Sequence, residues 1–161
     1  MRLTEALRPY GRIALDTNIC VYFLQQEPTR FALVSELMML FGQRVELCLP
    51  DIVRLELLIH PYRTGDFDEM ASVRGLLERG SPVEMNDDVV EVAAQLRAMT
   101  RLRTPDALVA ACAAVDGCGA IVGNDAAFKD LQAMEGMTLF AAAKSATIPQ
   151  YIHLDDYVDD V

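Results

Sequence analysis

Histidines, linkers and long apolar runs are scarce in this 161-residue chain, and each shortage removes a class of function. Only two histidines occur, His60 and His153, and neither has a cysteine or second histidine at ligand spacing. A zinc site is therefore not expected. The four cysteines, Cys20, Cys48, Cys112 and Cys118, form no Cys-x-x-Cys pair. Three of them, Cys20, Cys48 and Cys112, sit in apolar stretches, where a free thiol behaves as a small hydrophobe; a disulfide framework is not expected. No apolar run is long enough to span a bilayer. The opening MRLTEALRPYGRIALD has arginines but no sustained apolar segment, so no signal peptide is evident and a cytoplasmic location without membrane association is expected. No repeat, low-complexity tract or Gly/Ser/Pro-rich linker divides the chain, which leaves one domain over residues 1–161 with an acidic tail from about 155.

Positive charge is also short. The formal net charge is −10, which speaks at first against a nucleic-acid partner. The distribution softens that reading, because the closing DDYVDDV alone holds Asp155, Asp156, Asp159 and Asp160. With those four and four candidate site acids set aside, 16 of the 24 acids face 14 bases. A hydrophobic fraction of 52% is ordinary for a soluble domain with a substantial core.

What is present is an alternation of apolar strands and capped helices. RIALD (12–16) reads as a strand, and Thr17 and Asn18 as the cap of a helix through ICVYFLQQ. Phe31, Val34, Leu37, Met38 and Phe41 recur at helical spacing, and Gly42 stops that helix. VELCLP reads as a buried strand, followed by a helix capped by Asp51 that carries Arg54, Glu56 and Ile59, with Pro61 just beyond it. A helix is expected between Phe67 and Arg79. Asn86 caps another, with Asp87 and Asp88 in its first turn. Thr104-Pro105-Asp106 is a helix start with Thr104 as the cap. AIVGN is a short strand, Ala126 to Gln132 a short helix, and MTLFA a further strand. The alternation predicts an α/β fold with a central parallel sheet and helices on both faces.

Four acids stand out in that frame: Asp16 in LDTNI, Glu56 in RLELL, Asp106 in TPDALVAA and Asp125 in GNDAAF. Three of them lie where a strand ends or a helix begins, the edge at which open α/β sheets bind ligands. Singly, each has a plain structural reading. Asp16 and Asp125 suit helix caps, and Asp106 suits the positive end of a helix dipole. Glu56 lies either on a solvated face or buried with a partner. Jointly they form a candidate cage of hard oxygens, suited to Mg²⁺ or Mn²⁺.

With these residues in place, the chain resembles the PIN domain family, of the VapC-like toxin ribonuclease kind. The likeness rests on LDTNI with Asp16 and Asn18, Glu56 after the second strand, PDALVAACAA with Asp106, and GNDAAF with Asp125, in order from about Arg12 to Phe140. It implies a metal-dependent endoribonuclease that hydrolyses RNA phosphodiesters. Asp16, Glu56, Asp106 and Asp125 would be catalytic, and Asp16, Asp106 and Asp125 would hold Mg²⁺ or Mn²⁺. Thr17, Asn18 and Asn124 would support the carboxylates, and Arg101 and Arg103 are the expected RNA phosphate contacts. The resemblance further implies a small antitoxin partner and a homodimer, for which the helix carrying Leu37, Met38, Met39, Leu40 and Phe41 has apolar residues on more than one face. The chain departs from the family pattern at Gly123, where that pattern opens its last motif with Thr. The departure and the acidic surface favour an alternative, a catalytically degenerate PIN-like domain acting as a binding module.

Overall fold

Ile13, Ala14 and Leu15 are all fully buried although successive strand residues point to opposite faces, so both faces of their strand are covered. In the computed structural model, which describes residues 1–42, 44–141 and 144–160, this strand is the middle of a five-stranded sheet. The order along the chain is α1 (Leu3–Leu7), β1 (Arg12–Leu15), α2 (Thr17–Leu24), α3 (Phe31–Met38), β2 (Glu46–Pro50), α4 (Asp51–Thr64), α5 (Phe67–Arg79) and β3 (Ser81–Val83). Then come α6 (Asp87–Met99), α7 (Thr104–Val115), β4 (Ala120–Gly123), a 3₁₀ helix (Ala126–Met134), β5 (Thr138–Phe140), β6 (Ser145–Thr147), β7 (Gln150–His153) and a closing 3₁₀ helix (Leu154–Asp160).

The sheet order is β3-β2-β1-β4-β7, with every pairing parallel. The chain leaves β1 toward β2 on one side and returns later to place β4 on the other. The order thus reverses between β1 and β4, and a crevice opens at their carboxyl ends. Leu15 pairs with Val122, and the Asp16 amide donates to the Val122 carbonyl at 2.9 Å. That register puts Asp16 and the Gly123–Asp125 segment at one edge.

Helix α7 carries Asp106 into this crevice from the other direction. Its residues from Ala107 to Val115 are buried almost all round, with Ala at five of those positions. Small side chains let α6 pack along it and hold the helix start rigidly against the sheet.

Several local expectations shift. Pro61 lies inside α4, not beyond it: the helix runs on to Thr64 and closes on Gly65 at φ +68°. Pro61 is itself buried, so packing offsets the hydrogen bond it cannot make. Arg103, not Thr104, occupies the cap position of α7. The MTLFA strand forms as β5, but it pairs antiparallel with β6 outside the main sheet. Three strands were not anticipated: β6, the antiparallel partner of β5, together with β3 and β7. β3 is three residues at the sheet edge and contains Pro82, where proline is tolerated. β7 is four residues and finds its partner β4 about thirty residues upstream.

Gly80 is needed for space. A Cβ there would meet Leu49 Cδ1 at 2.7 Å and Leu47 Cγ at 3.2 Å, both in the core strand β2. Gly80→Ala is expected to cost about 1–3 kcal/mol of stability by overpacking, read as a lower urea midpoint at unchanged slope; an unchanged midpoint would show that Leu49 moves freely.

Candidate active site

Asp16 stands at the cap position of α2, yet its carboxylate makes no capping bond to that helix. It is also the one buried charged residue among the described residues, 6% exposed. Burial pushes its carboxyl up to about 7; the Thr17 amide opposes the rise, and the charges of Asp106, Glu56 and Asp125 add to it. The same four acids singled out by sequence are therefore near enough in the fold for Asp106, Glu56 and Asp125 each to act on the charge of Asp16.

Glu56 comes from the second turn of α4 and is half-buried. Its carboxyl is raised by burial and then by Asp106, with the Thr17 side chain opposing. The Thr17 hydroxyl oxygen is buried and has no hydrogen-bond partner of ordinary geometry. Asp106, in the first turn of α7, is raised by burial and by Asp125, against a lowering by Arg103. Asp125 follows β4 and is exposed; its carboxylate accepts from the Ala127 amide at 2.9 Å, so the cap reading holds for this acid.

Among the described residues, none of the four takes part in an ion pair. Four like charges at a sheet edge, one of them buried, favour a cation between them. Their donor set is entirely carboxylate oxygen, which fits Mg²⁺ or Mn²⁺ and not a soft metal. Among the described residues, three ligand-type side chains do bring their donor atoms within 4.8 Å of one another elsewhere: Cys48, Asp116 and Cys118. That group lies toward the amino end of the sheet, where Asp116 is bonded to Arg12.

The supporting residues divide. Thr17 is beside Glu56, whereas Asn18 is exposed. Asn124 is committed elsewhere: its amide donates to the Tyr22 hydroxyl at 3.2 Å and its carbonyl accepts from the Asp155 amide at 3.0 Å. Asp155 in turn takes a two-pronged bond from Arg30 at 2.7 and 2.8 Å. These bonds tie α2 to the closing 3₁₀ helix. Arg101 is likewise occupied, chelating Asp130 at 2.7 and 3.1 Å. Arg103 is exposed and acts electrostatically on Asp106.

Sequence reasoning missed Tyr151 and His153, which β7 carries to the same edge. The Tyr151 hydroxyl lies 3.2 Å from the Asp125 carbonyl oxygen and 2.8 Å from His153 Nδ1. No motif announces them, since they reach the site only through the β4–β7 pairing.

A family model described as the PIN domain matches residues 13–133. Among solved structures, VapBC2 from Rickettsia felis, bound to a DNA fragment from their promoter, is similar with a TM-score of 0.63 at 20% identity, covering 73% of this chain and 91% of that one. VapBC-1 from nontypeable Haemophilus influenzae is similar with a TM-score of 0.64 at 15% identity, covering 89% and 98%. VapC20 from Mycobacterium tuberculosis, described as a sarcin-ricin loop cleaving toxin, is similar with a TM-score of 0.58 at 16% identity, covering 73% and 92%. At these identities the likeness is one of fold. Comparison with the curated proteins returns no match.

Proposed function

Because the chain belongs to the PIN domain family, we propose that it is a divalent-metal-dependent endoribonuclease and the toxin of a toxin–antitoxin pair, acting in the cytoplasm. The observation that carries this reading is the buried Asp16 carboxylate at the β1–β4 crevice, faced by three more acids and by no paired cation among the described residues. Asp16, Asp106 and Asp125 would hold Mg²⁺ or Mn²⁺. When bound, such an ion activates water and neutralises charge on the phosphate. Glu56, raised by burial and by Asp106, is suited to orient the attacking water and accept its proton. Asp16 fixes the floor of the site because its own strand and the Val122 carbonyl hold its main chain.

Arg103 is the better placed phosphate contact, since Arg101 is already held by Asp130. Arg103→Ala is expected to lower the slope of log affinity against log salt by about 0.7, the share of one single-strand phosphate contact. Fluorescence anisotropy with RNA in an Asp16→Asn background reads this. An equal effect from Arg101→Ala would overturn the preference.

A cleft of about 390 Å³ between α2, α4 and α5 supports the antitoxin reading. Val21, Leu24, Leu57 and Val73 line it, together with Glu56, Asp66 and Glu69. An apolar antitoxin segment with a basic residue reaching Glu56 fits this lining. The relatives from Rickettsia felis and Haemophilus influenzae are VapBC proteins by their descriptions, which supports the same expectation. For a homodimer, the outer face of α4 is the candidate surface, with Leu55, Ile59 and Tyr62 exposed at helical spacing. The Leu37–Phe41 segment is instead mostly core: Leu37, Met38 and Phe41 are buried, and Met39 is exposed.

The test is cleavage of a mixed RNA pool by purified protein with Mn²⁺ or Mg²⁺, then with chelator, beside Asp16→Asn. Metal-dependent cutting that disappears in the variant supports the nuclease. Absence of both cutting and Mn²⁺ binding would sink it in favour of a binding module.

A further inference from the structure

We propose that Tyr151 is a positioning residue of the acid site: its phenol occupies the space a side chain at position 123 would fill and holds the Asp125 main chain, with His153 orienting it. This rests on the metal-nuclease reading above and adds a residue that lies beyond the matched segment 13–133. The first observation is steric. A Cβ on Gly123 would come 3.2 Å from Tyr151 Cε2, 3.5 Å from its hydroxyl oxygen and 3.7 Å from Asp16 Cβ. Gly123 is not in the left-handed region, so it is glycine for room and not for conformation. The phenol and the Asp16 Cβ therefore both border the space above Gly123, at the carboxyl end of β4. Position 123 offers no hydroxyl there, and the neighbouring strand supplies one.

The second observation is the hydrogen-bond pattern. The phenol has a single proton and lies within reach of two groups, the Asp125 carbonyl and His153 Nδ1. A carbonyl only accepts, so the phenol must donate to it. His153 Nδ1 must then carry a proton and donate to the phenol oxygen. The result is a directed chain from His153 through Tyr151 to Asp125. On its far side the Asp125 carboxylate accepts from Ala127, so the residue is held from two directions. The ring itself is fixed: it is 3% exposed and stacked on Phe128 with centroids 5.6 Å apart.

Tyr151→Phe removes the hydroxyl and leaves the stacked ring. Three proteins, wild type, Tyr151→Phe and Asp106→Asn, are titrated with Mn²⁺ by calorimetry. The tautomer of His153 is read by long-range ¹H–¹⁵N NMR in the first two. Tyr151→Phe is expected to weaken Mn²⁺ binding by about tenfold, as loss of a group that orients metal ligands does. His153 is expected to be Nδ1-protonated in the wild type and to lose that preference in Tyr151→Phe. His153→Ala, which leaves the buried ring untouched, should weaken Mn²⁺ binding in the same direction. Wild-type affinity in both Tyr151→Phe and His153→Ala, with binding lost in Asp106→Asn, overturns the tyrosine's role alone. No Mn²⁺ binding by the wild type overturns the metal-centre reading and this role with it.

Discussion

Asp16→Asn protein is expected to cut RNA about 10²–10³ times more slowly than the wild type at saturating Mn²⁺, the scale for loss of one preorganised electrostatic group. The substitution keeps the shape of the side chain and one of its oxygens, and removes the charge. Asp16 is the buried member of the quartet, and its main chain is fixed to β4. Asp125→Asn should cost less, because Asp125 is exposed and its carboxylate also serves as a cap for the following 3₁₀ helix. Single-turnover cleavage of one labelled RNA by the three proteins, at matched occupancy, gives the ranking. Equal rates for wild type and Asp16→Asn would remove Asp16 from the chemistry.

Without metal, the same substitution is expected to stabilise the protein above neutral pH. The folded-state carboxyl of Asp16 is held up to about 7 against an ordinary 3.8. Between those values the folded chain binds a proton that the unfolded chain has released, so stability falls as pH rises through the window and levels off above it. Glu56 and Asp106 are raised too and act in the same direction. Asp155 is held low by Arg30 and acts oppositely at lower pH, so the informative quantity is the difference between variant and wild type. In chelator, that difference should grow from pH 4 to pH 7 and reach on the order of a few kcal/mol. For a chain of this size each such kcal/mol is about 2–4 °C in Tm. Mn²⁺ at a hundred times the wild-type Kd should restore about 2.7 kcal/mol to the wild type and markedly less to Asp16→Asn, whose weaker binding needs more Mn²⁺ to reach the same occupancy. Urea melts at several pH values, with chelator and with Mn²⁺, measure both arms. A variant less stable than wild type throughout, in chelator, would mean that Asp16 is paired in a way that offsets its burial.

The parts of the fold that sequence made legible are those with local causes. An apolar triad, Ile13 to Leu15, followed by Asp-Thr-Asn marks β1 and the start of α2, and Asn86 caps α6 by accepting from the Val89 amide at 3.0 Å, as its position suggests. The four acids were legible because three stand at such boundaries. Their shared environment was an inference from those boundary positions and from likeness until the fold placed them in one electrostatic neighbourhood. The elements that escaped are short and depend on distant partners. β3 contains a proline, and β7 gains its identity only by pairing Ile121 with Tyr151 and Gly123 with His153.

Sequence by itself determined the α/β class, the order of the main strands and helices, and which acids to propose for the site, because periodicity, caps and turn residues act over a few neighbouring positions. Tertiary structure alone decided which support residues are free. It committed Arg101 to Asp130 and Asn124 to Tyr22 and Asp155, buried Asp16, and laid Tyr151 over Gly123. Each of those depends on contacts between residues far apart in the chain, and the free energy of such a contact is set by packing and desolvation that no local pattern encodes.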